Sequence, residues 1–225
     1  MRVRKEIKYI ISISQAIWLK KHLGMLMKPD SSGIDGTYWI RSQYYDSIAD
    51  RDLHDNLDGV MEKRKIRLRI YSPDAKMVKL EYKCKSGSDG TKLTILLSRK
   101  EALDMEQNRL EFLLTHPEPL AGFLFAKMNQ NLYRPKTIVE YERTALLYPV
   151  SDLRITFDRN IRASISPYGL FEPALHSIPI LGEDQCVLEV KYNDFLAAPF
   201  REILNEIDQM QVANSKYSSA RFLQN

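Results

Sequence analysis

Over residues 65–71 polar and apolar positions alternate without a fault. Lys65, Arg67 and Arg69 fall on one face of an extended strand, and Ile66, Leu68 and Ile70 on the other. Ser72, Pro73 and Asp74 read as a turn, after which alternation resumes over 78–85 with Lys79, Glu81, Lys83 and Lys85 on the charged side. The two segments predict a hairpin whose shared face carries six bases and one acid. The same theme recurs at Arg4, Glu6 and Lys8, at Arg154, Thr156 and Asp158, and at Glu189 and Lys191. Residues 138–143 have strand composition, although Glu142 and Arg143 fall on opposite faces unless a bulge intervenes.

Helical signals are fewer. Ser14 is placed to cap a helix reaching about Met27. Ser98 with Glu101 forms a capping box for a helix to about Leu114, and Pro199 opens another that ends near Met210. The expectation is an α+β fold: an antiparallel β tunnel, a closed or nearly closed barrel, with flanking helices. No linker, repeat or low-complexity segment divides the 225 residues, so a single domain over 1–225 is expected.

Composition narrows the compartment more than the chemistry. A hydrophobic content of 44% is enough for a sizeable core, and 33 Lys and Arg against 29 Asp and Glu give only +4. That bias is too small to indicate nucleic acid or a membrane surface. The basic N-terminus is followed by an apolar stretch soon broken by Ser12, Ser14 and Gln15, a poor signal peptide, and no run reaches membrane-spanning length. Cys84 and Cys186 make no disulfide scaffold. A cytoplasmic protein with no integral membrane segment is expected.

A one-sided antiparallel sheet ordinarily leaves its polar face in water. Here the repetition of charge on so many strands argues for more. Like charges opposite one another in a hairpin cost up to ~1 kcal/mol a pair, so a basic row calls for an anion or interleaved carboxylates. Arg residues two apart on a strand match successive phosphates, each guanidinium offering a planar donor fork. Glu residues among them make sense if a divalent cation sits between carboxylate and phosphate oxygens. Phosphoryl transfer or triphosphate hydrolysis follows as the expected chemistry.

Other motifs carry less. Gly87-Ser88-Asp89-Gly90-Thr91-Lys92 lacks Walker spacing and reads as a flexible hairpin loop from which Lys92 could reach a phosphate. His22, His54, His116 and His176 show no metal-ligand spacing. Without further information, Ser215 and Lys216 read as a cap and a surface charge.

Taken in order, these segments resemble the VTC-type polyphosphate polymerase domain, a stand-alone form within the triphosphate tunnel metalloenzyme, or CYTH-like, superfamily. The resemblance rests on Arg4-Lys5-Glu6-Ile7-Lys8-Tyr9, Ser42-Gln43-Tyr44-Tyr45-Asp46, residues 65–71, Leu80-Glu81-Tyr82-Lys83, residues 139–144, residues 153–158, Leu188-Glu189-Val190-Lys191-Tyr192 and Ser215-Lys216-Tyr217-Ser218. It implies ATP as phosphate donor, a Mn or Mg ion, and transfer of the terminal phosphoryl group onto inorganic polyphosphate with release of ADP. Matched by motif, Arg67, Arg69, Lys83, Arg143, Arg154 and Lys216 would be catalytic phosphate contacts. Lys8, Lys92, Ser215, Lys191 and Glu81 would line the substrate, and Glu189 would bind the metal. The superfamily's ExExK pattern survives only as Glu6 and Lys8, with Arg4 where the first Glu would stand, which resembles the polymerase branch more than the triphosphatases. Two alternatives stay open: a tunnel triphosphatase hydrolysing inorganic or nucleoside triphosphates, and a non-catalytic sensor of polyphosphate or nucleotide. A nucleic-acid binder is opposed by the acids on the same faces.

Overall fold

The computed structural model describes residues 4–86, 89–207, 210–212 and 215–223. In chain order the strands are β1 (Arg4–Ser12), β2 (Lys28–Pro29), β3 (Thr37–Asp46), β4 (Glu62–Ile70), β5 (Met77–Ser86), β6 (Asp89–Ser98), β7 (Arg134–Tyr148), β8 (Leu153–Ser164), β9 (Ser177–Pro179), β10 (Gln185–Asn193) and β11 (Met210–Gln211). The helices are α1 (Ile13–Leu23), α2 (Arg51–Leu57), α3 (Arg99–Glu106), α4 (Pro119–Gln130), α5 (Ala198–Asn205) and α6 (Lys216–Phe222). The class is α+β with antiparallel strand pairs, as the alternation predicts. The chain divides into two compact units. One comprises Met1–Trp39, Glu140–Arg162 and Pro179–Ser215, the other Ile40–Val139, Ala163–Ile178 and Lys216–Asn225.

In the first unit the strand order is β11-β1-β10-β8-β7. The apolar face of these strands presents Ile11, Leu153, Ile155, Phe157, Cys186, Leu188 and Val190, all buried, against Ala16, Leu19 and Leu23 of α1 and Phe200 and Leu204 of α5. Each fully buried Leu there contributes on the order of 1.5–3 kcal/mol. Helix α1 starts one residue after Ser12, whose side chain accepts from the Gln15 amide at 3.1 Å while Gln15 Oε1 accepts from the Ser12 amide at 2.9 Å. The cap is therefore Ser12 and not Ser14, because only Ser12 has a Gln three residues on to close the box. The helix stops at Leu23, short of Met27, with Gly24 as its C-cap.

In the second unit the order is β3-β4-β5-β6. Ile66, Leu68, Ile70, Val78, Leu80, Ile95 and Leu97 form the buried face. Helices α3 and α4 pack on these strands and bury Ala102, Met105, Ala121, Leu124 and Met128. The Ser98–Glu101 capping box forms as expected, but α3 ends at Glu106 and a separate 3-10 turn covers Glu111–Leu114. Helix α5 has Pro199 in its first turn and ends at Asn205, before Met210. Lys92 and its neighbours from Asp89 onward belong to strand β6, not to a loop, since β5 and β6 pair from Met77↔Ser98 through Ser86↔Asp89. Gly87 and Ser88, with Asn214, lie outside the described residues.

Candidate functional site

Each unit turns one charged strand face away from its apolar face. In the second unit the pairing places Tyr44 opposite Arg67 and Ser42 opposite Arg69. Arg67 in turn lies opposite Glu81, and Arg69 opposite Lys79. Lys65, Lys83 and Lys92 stand in one row across β4, β5 and β6. Such a row of like charges is destabilising unless an anion answers it.

Glu81 supplies part of that answer. Its carboxylate is 2% exposed and accepts from Arg67 Nε at 2.6 Å, with Lys92 Nζ at 2.5 Å and Arg69 Nη1 at 3.8 Å. Burial raises the Glu81 carboxyl, but Arg67, Arg69 and Lys92 outweigh it and hold the group down at about 2. Arg67 also donates to the Tyr44 hydroxyl at 3.2 Å, and Arg69 donates to Ser42 Oγ at 3.2 Å. Four of the cations named from sequence, Arg67, Arg69, Lys83 and Lys92, thus share one strand face around one buried acid.

Helix α6 begins with Lys216 and is fastened through residues to which sequence reasoning gave no role, although Tyr44, Asp46 and Tyr217 stand in its motifs. Tyr217 stacks on Tyr44 with ring centroids 5.4 Å apart and donates to Asp46 Oδ2 at 2.6 Å. Asp46 also accepts from the Ser47, Asp52 and Leu53 amides, which anchors the start of α2. Arg221 makes a two-pronged pair with Asp50 at 2.7 and 3.0 Å. Ser215 directly precedes the helix, and both it and Lys216 are partly buried.

In the first unit, Lys8 lies opposite Glu189 and Glu6 opposite Lys191. On the other side of β10, Thr156 lies opposite Glu189, Arg154 opposite Lys191 and Asp158 opposite Val187. Glu189 is 5% exposed, with Lys191 Nζ 2.8 Å from Oε1 and Arg143 Nη2 3.5 Å from Oε2. Burial raises its carboxyl, yet Lys191, Lys8 and Arg143 together hold it well below the usual carboxylate range. Glu6 is within hydrogen-bond reach of Glu189 and has Lys8 at 3.1 Å and Lys191 at 3.7 Å. Burial and the Glu189 charge push the Glu6 carboxyl up, but the two lysines prevail and it is lowered.

The two Arg residues of this unit named as site residues from sequence, Arg143 and Arg154, are engaged by acids. Arg143 grips the fully buried Asp158 with both prongs, Nε–Oδ1 at 2.6 Å and Nη2–Oδ2 at 2.7 Å. Glu142 turns the opposite way to Arg159 and Asn160, so no bulge is needed to separate the pair. Arg154 donates to Asp30 Oδ2 at 2.8 Å and to the Tyr38 hydroxyl at 2.9 Å. Asp30, Tyr38 and Asp158 orient these arginines. Asp158 was visible in the β8 alternation, whereas Asp30 and Tyr38 carry no local signal.

Among the described residues no group of three or more His, Cys, Asp and Glu side chains is placed to hold a metal. Two carboxylates within reach of each other, Glu6 and Glu189, nevertheless fit a hard cation that takes its remaining ligands from phosphate and water, as Mg-type sites do.

A family model described as the VTC domain matches residues 3–223. Among solved structures, a "putative adenylate cyclase" from Bacillus halodurans superimposes with a TM-score of 0.56 at 13% identity, covering 95% of this chain and 94% of that one. A protein of the same designation from Vibrio parahaemolyticus gives a TM-score of 0.46 at 10% identity, covering 91% and 83%. The PH1819 protein of Pyrococcus horikoshii gives 0.44 at 13%, covering 95% and 97%. No curated protein matches the chain significantly. No helix among the described residues is long and apolar enough to cross a membrane.

Proposed function

Because the chain belongs to the VTC domain family, and so to the triphosphate tunnel domains that handle nucleotides and phosphates with a divalent metal, we propose that it is an ATP-dependent polyphosphate polymerase. The observation that carries this reading is the strand face on which Arg67, Arg69 and Lys92 surround the buried Glu81. Cations held that way by an internal carboxylate are pre-oriented, and a phosphate chain offers them more negative charge than Glu81 does. The likeness to the Bacillus halodurans protein is one of fold, and no activity is carried over from it.

A terminal oxygen of inorganic polyphosphate attacks the γ-phosphorus of ATP, and the bond from that phosphorus to the β–γ bridging oxygen breaks. ADP leaves, and the chain grows by one phosphate. The attacking oxygen is already ionised near neutral pH, so no side chain has to remove a proton. Arg67, Arg69, Lys83 and Lys92 of the second unit, with Lys216, bind and orient phosphates. Lys8, Arg143, Arg154 and Lys191 of the first unit, with Ser215, do the same. Glu189, with Glu6 beside it, would hold a Mn or Mg ion, which neutralises phosphate charge when bound.

Incubation of the purified protein with ATP and Mn, followed by separate assays for long polyphosphate, ADP and free phosphate, tests the reading. Polyphosphate and ADP in step are expected. ADP with free phosphate alone would make the protein a triphosphatase, and binding without turnover would make it a sensor.

A further inference from the structure

The Thr156 hydroxyl is buried, on a residue 2% exposed, and has no hydrogen-bond partner among the described residues. An orphaned buried hydroxyl costs about 1–3 kcal/mol, which a folded protein tolerates where a guest supplies the missing partner. Its position says which guest. Thr156 lies directly opposite Glu189, and Glu189 directly opposite Lys8, so the three form one row across β8, β10 and β1. Residues opposite one another across such a pair carry Cβ atoms roughly 5 Å apart. The hydroxyl therefore lies on the same sheet face as the Glu189 side chain, in the neighbouring strand, and no hydrogen bond joins the two.

Resting on the proposed function, in which Glu189 and Glu6 hold a divalent cation, we propose that Thr156 is a further ligand of that cation, directly or through one water. Lys8, Lys191 and Arg143 stand among three carboxylates, Glu6, Glu189 and Asp158, so the formal charges of the cluster balance. A neutral oxygen donor such as a hydroxyl adds to the coordination shell of a hard cation without adding charge to the site.

Mn titration of the ligand-free protein, read by electron paramagnetic resonance, tests this with Thr156→Val, Thr156→Ser and Glu189→Gln. Thr156→Val keeps the shape and is expected to weaken Mn binding about tenfold. Its melting temperature should hold or rise by roughly 2–4 °C, because an unsatisfied hydroxyl has gone. Thr156→Ser should bind Mn within about twofold of wild type. Wild-type affinity in Thr156→Val, with binding lost in Glu189→Gln, overturns this inference alone. A wild-type protein that binds no Mn, or Glu189→Gln that binds it equally well, overturns the metal reading and this inference with it. Tripolyphosphate binding is measured in parallel in EDTA. If Thr156→Val loses affinity there and keeps it for Mn, the hydroxyl serves phosphate and the cation role is wrong.

Discussion

Glu81 in the second unit and Glu189 in the first are both buried glutamates on charged strand faces, 2% and 5% exposed, and both are held ionised by bases. Their company differs. Glu81 faces Arg67, Arg69 and Lys92, with the lysine row Lys65–Lys83–Lys92 alongside. Glu189 has a second carboxylate, Glu6, within reach, a buried hydroxyl opposite, and an arginine already gripped by Asp158. An excess of bases around one acid suits an anion that can displace it. Paired acids among bases suit a cation and an anion together. On the proposed function, the same residue type on the same kind of strand would serve two tasks, set by its neighbours.

The widest separation between the two is expected in turnover. Glu189→Gln keeps size and removes the charge a hard cation requires, so metal-dependent turnover should fall by about 100-fold or more while metal-free ATP binding changes little. Glu81→Gln should retain the wild-type metal requirement but lose roughly 3 kcal/mol of stability, because Arg67 and Arg69 are left without their acid. Tripolyphosphate should then raise the melting temperature of Glu81→Gln more than that of wild type. Titrating Mn against rate in both variants is decisive. Equal metal dependence in wild type and Glu189→Gln, or a shifted one in Glu81→Gln, would erase the distinction.

A smaller effect should sharpen the anion side. Arg67→Ala removes a charge-assisted donor that also bonds Tyr44 and Glu81, and should weaken tripolyphosphate binding on the order of 10- to 100-fold. Arg143→Ala should instead cost stability first, since it strands the fully buried Asp158. Calorimetric titration alongside urea unfolding separates them. The contrast fails if Arg67→Ala binds as wild type does, or if Arg143→Ala unfolds at the same urea concentration as wild type.

Much of this could be read from the chain, for a physical reason. The 65–71 alternation has no exception, and a one-residue slip would expose Ile66, Leu68 and Ile70, so the face of each side chain was determined, while the pairing of Arg67 with Glu81 came from the structure. For Glu142 and Arg143 the register stayed open from sequence, and the structure turns them to different partners, Arg159 and Asp158. Partners supplied from afar could not be read from the chain. Asp46 collects the Tyr217 hydroxyl across 171 positions of sequence, and Arg154 finds Asp30 across 124. Alternation reports which face a side chain takes, but not which loop acid will meet it there. The end of α1 was misjudged because Met25 and Met27 continue an apolar pattern after Gly24 has closed the helix. Helix α4 went unread although Pro119 marks its first turn, because no capping side chain precedes it.

The last expectation concerns an acid that no charge cluster claims. Asp52 lies in the second unit, as Glu81 does, yet its carboxyl moves the other way, to about 6, through burial first and the neighbouring Asp46 charge second. Tyr133 donates to Oδ2 at 2.9 Å, while Oδ1 is buried without a hydrogen-bond partner among the described residues. A carboxyl raised from 3.8 in this way adds stability that is fully present below about pH 4 and is lost as pH rises through about 6. The full loss should be about 3 kcal/mol, of which about 2 falls between pH 4 and pH 7. Glu81, held at about 2, works in the opposite sense, adding stability above its ordinary range that is lost only as pH falls toward 2. Asp52→Asn keeps an acceptor for Tyr133 and cannot ionise. Its stability relative to wild type should therefore climb by about 2 kcal/mol between pH 4 and pH 7, with the contributions of Glu81 and Glu189 cancelling in the difference. Urea unfolding of both proteins at the two pH values measures it directly, and parallel behaviour would mean that Asp52 is ionised at no cost in the folded protein.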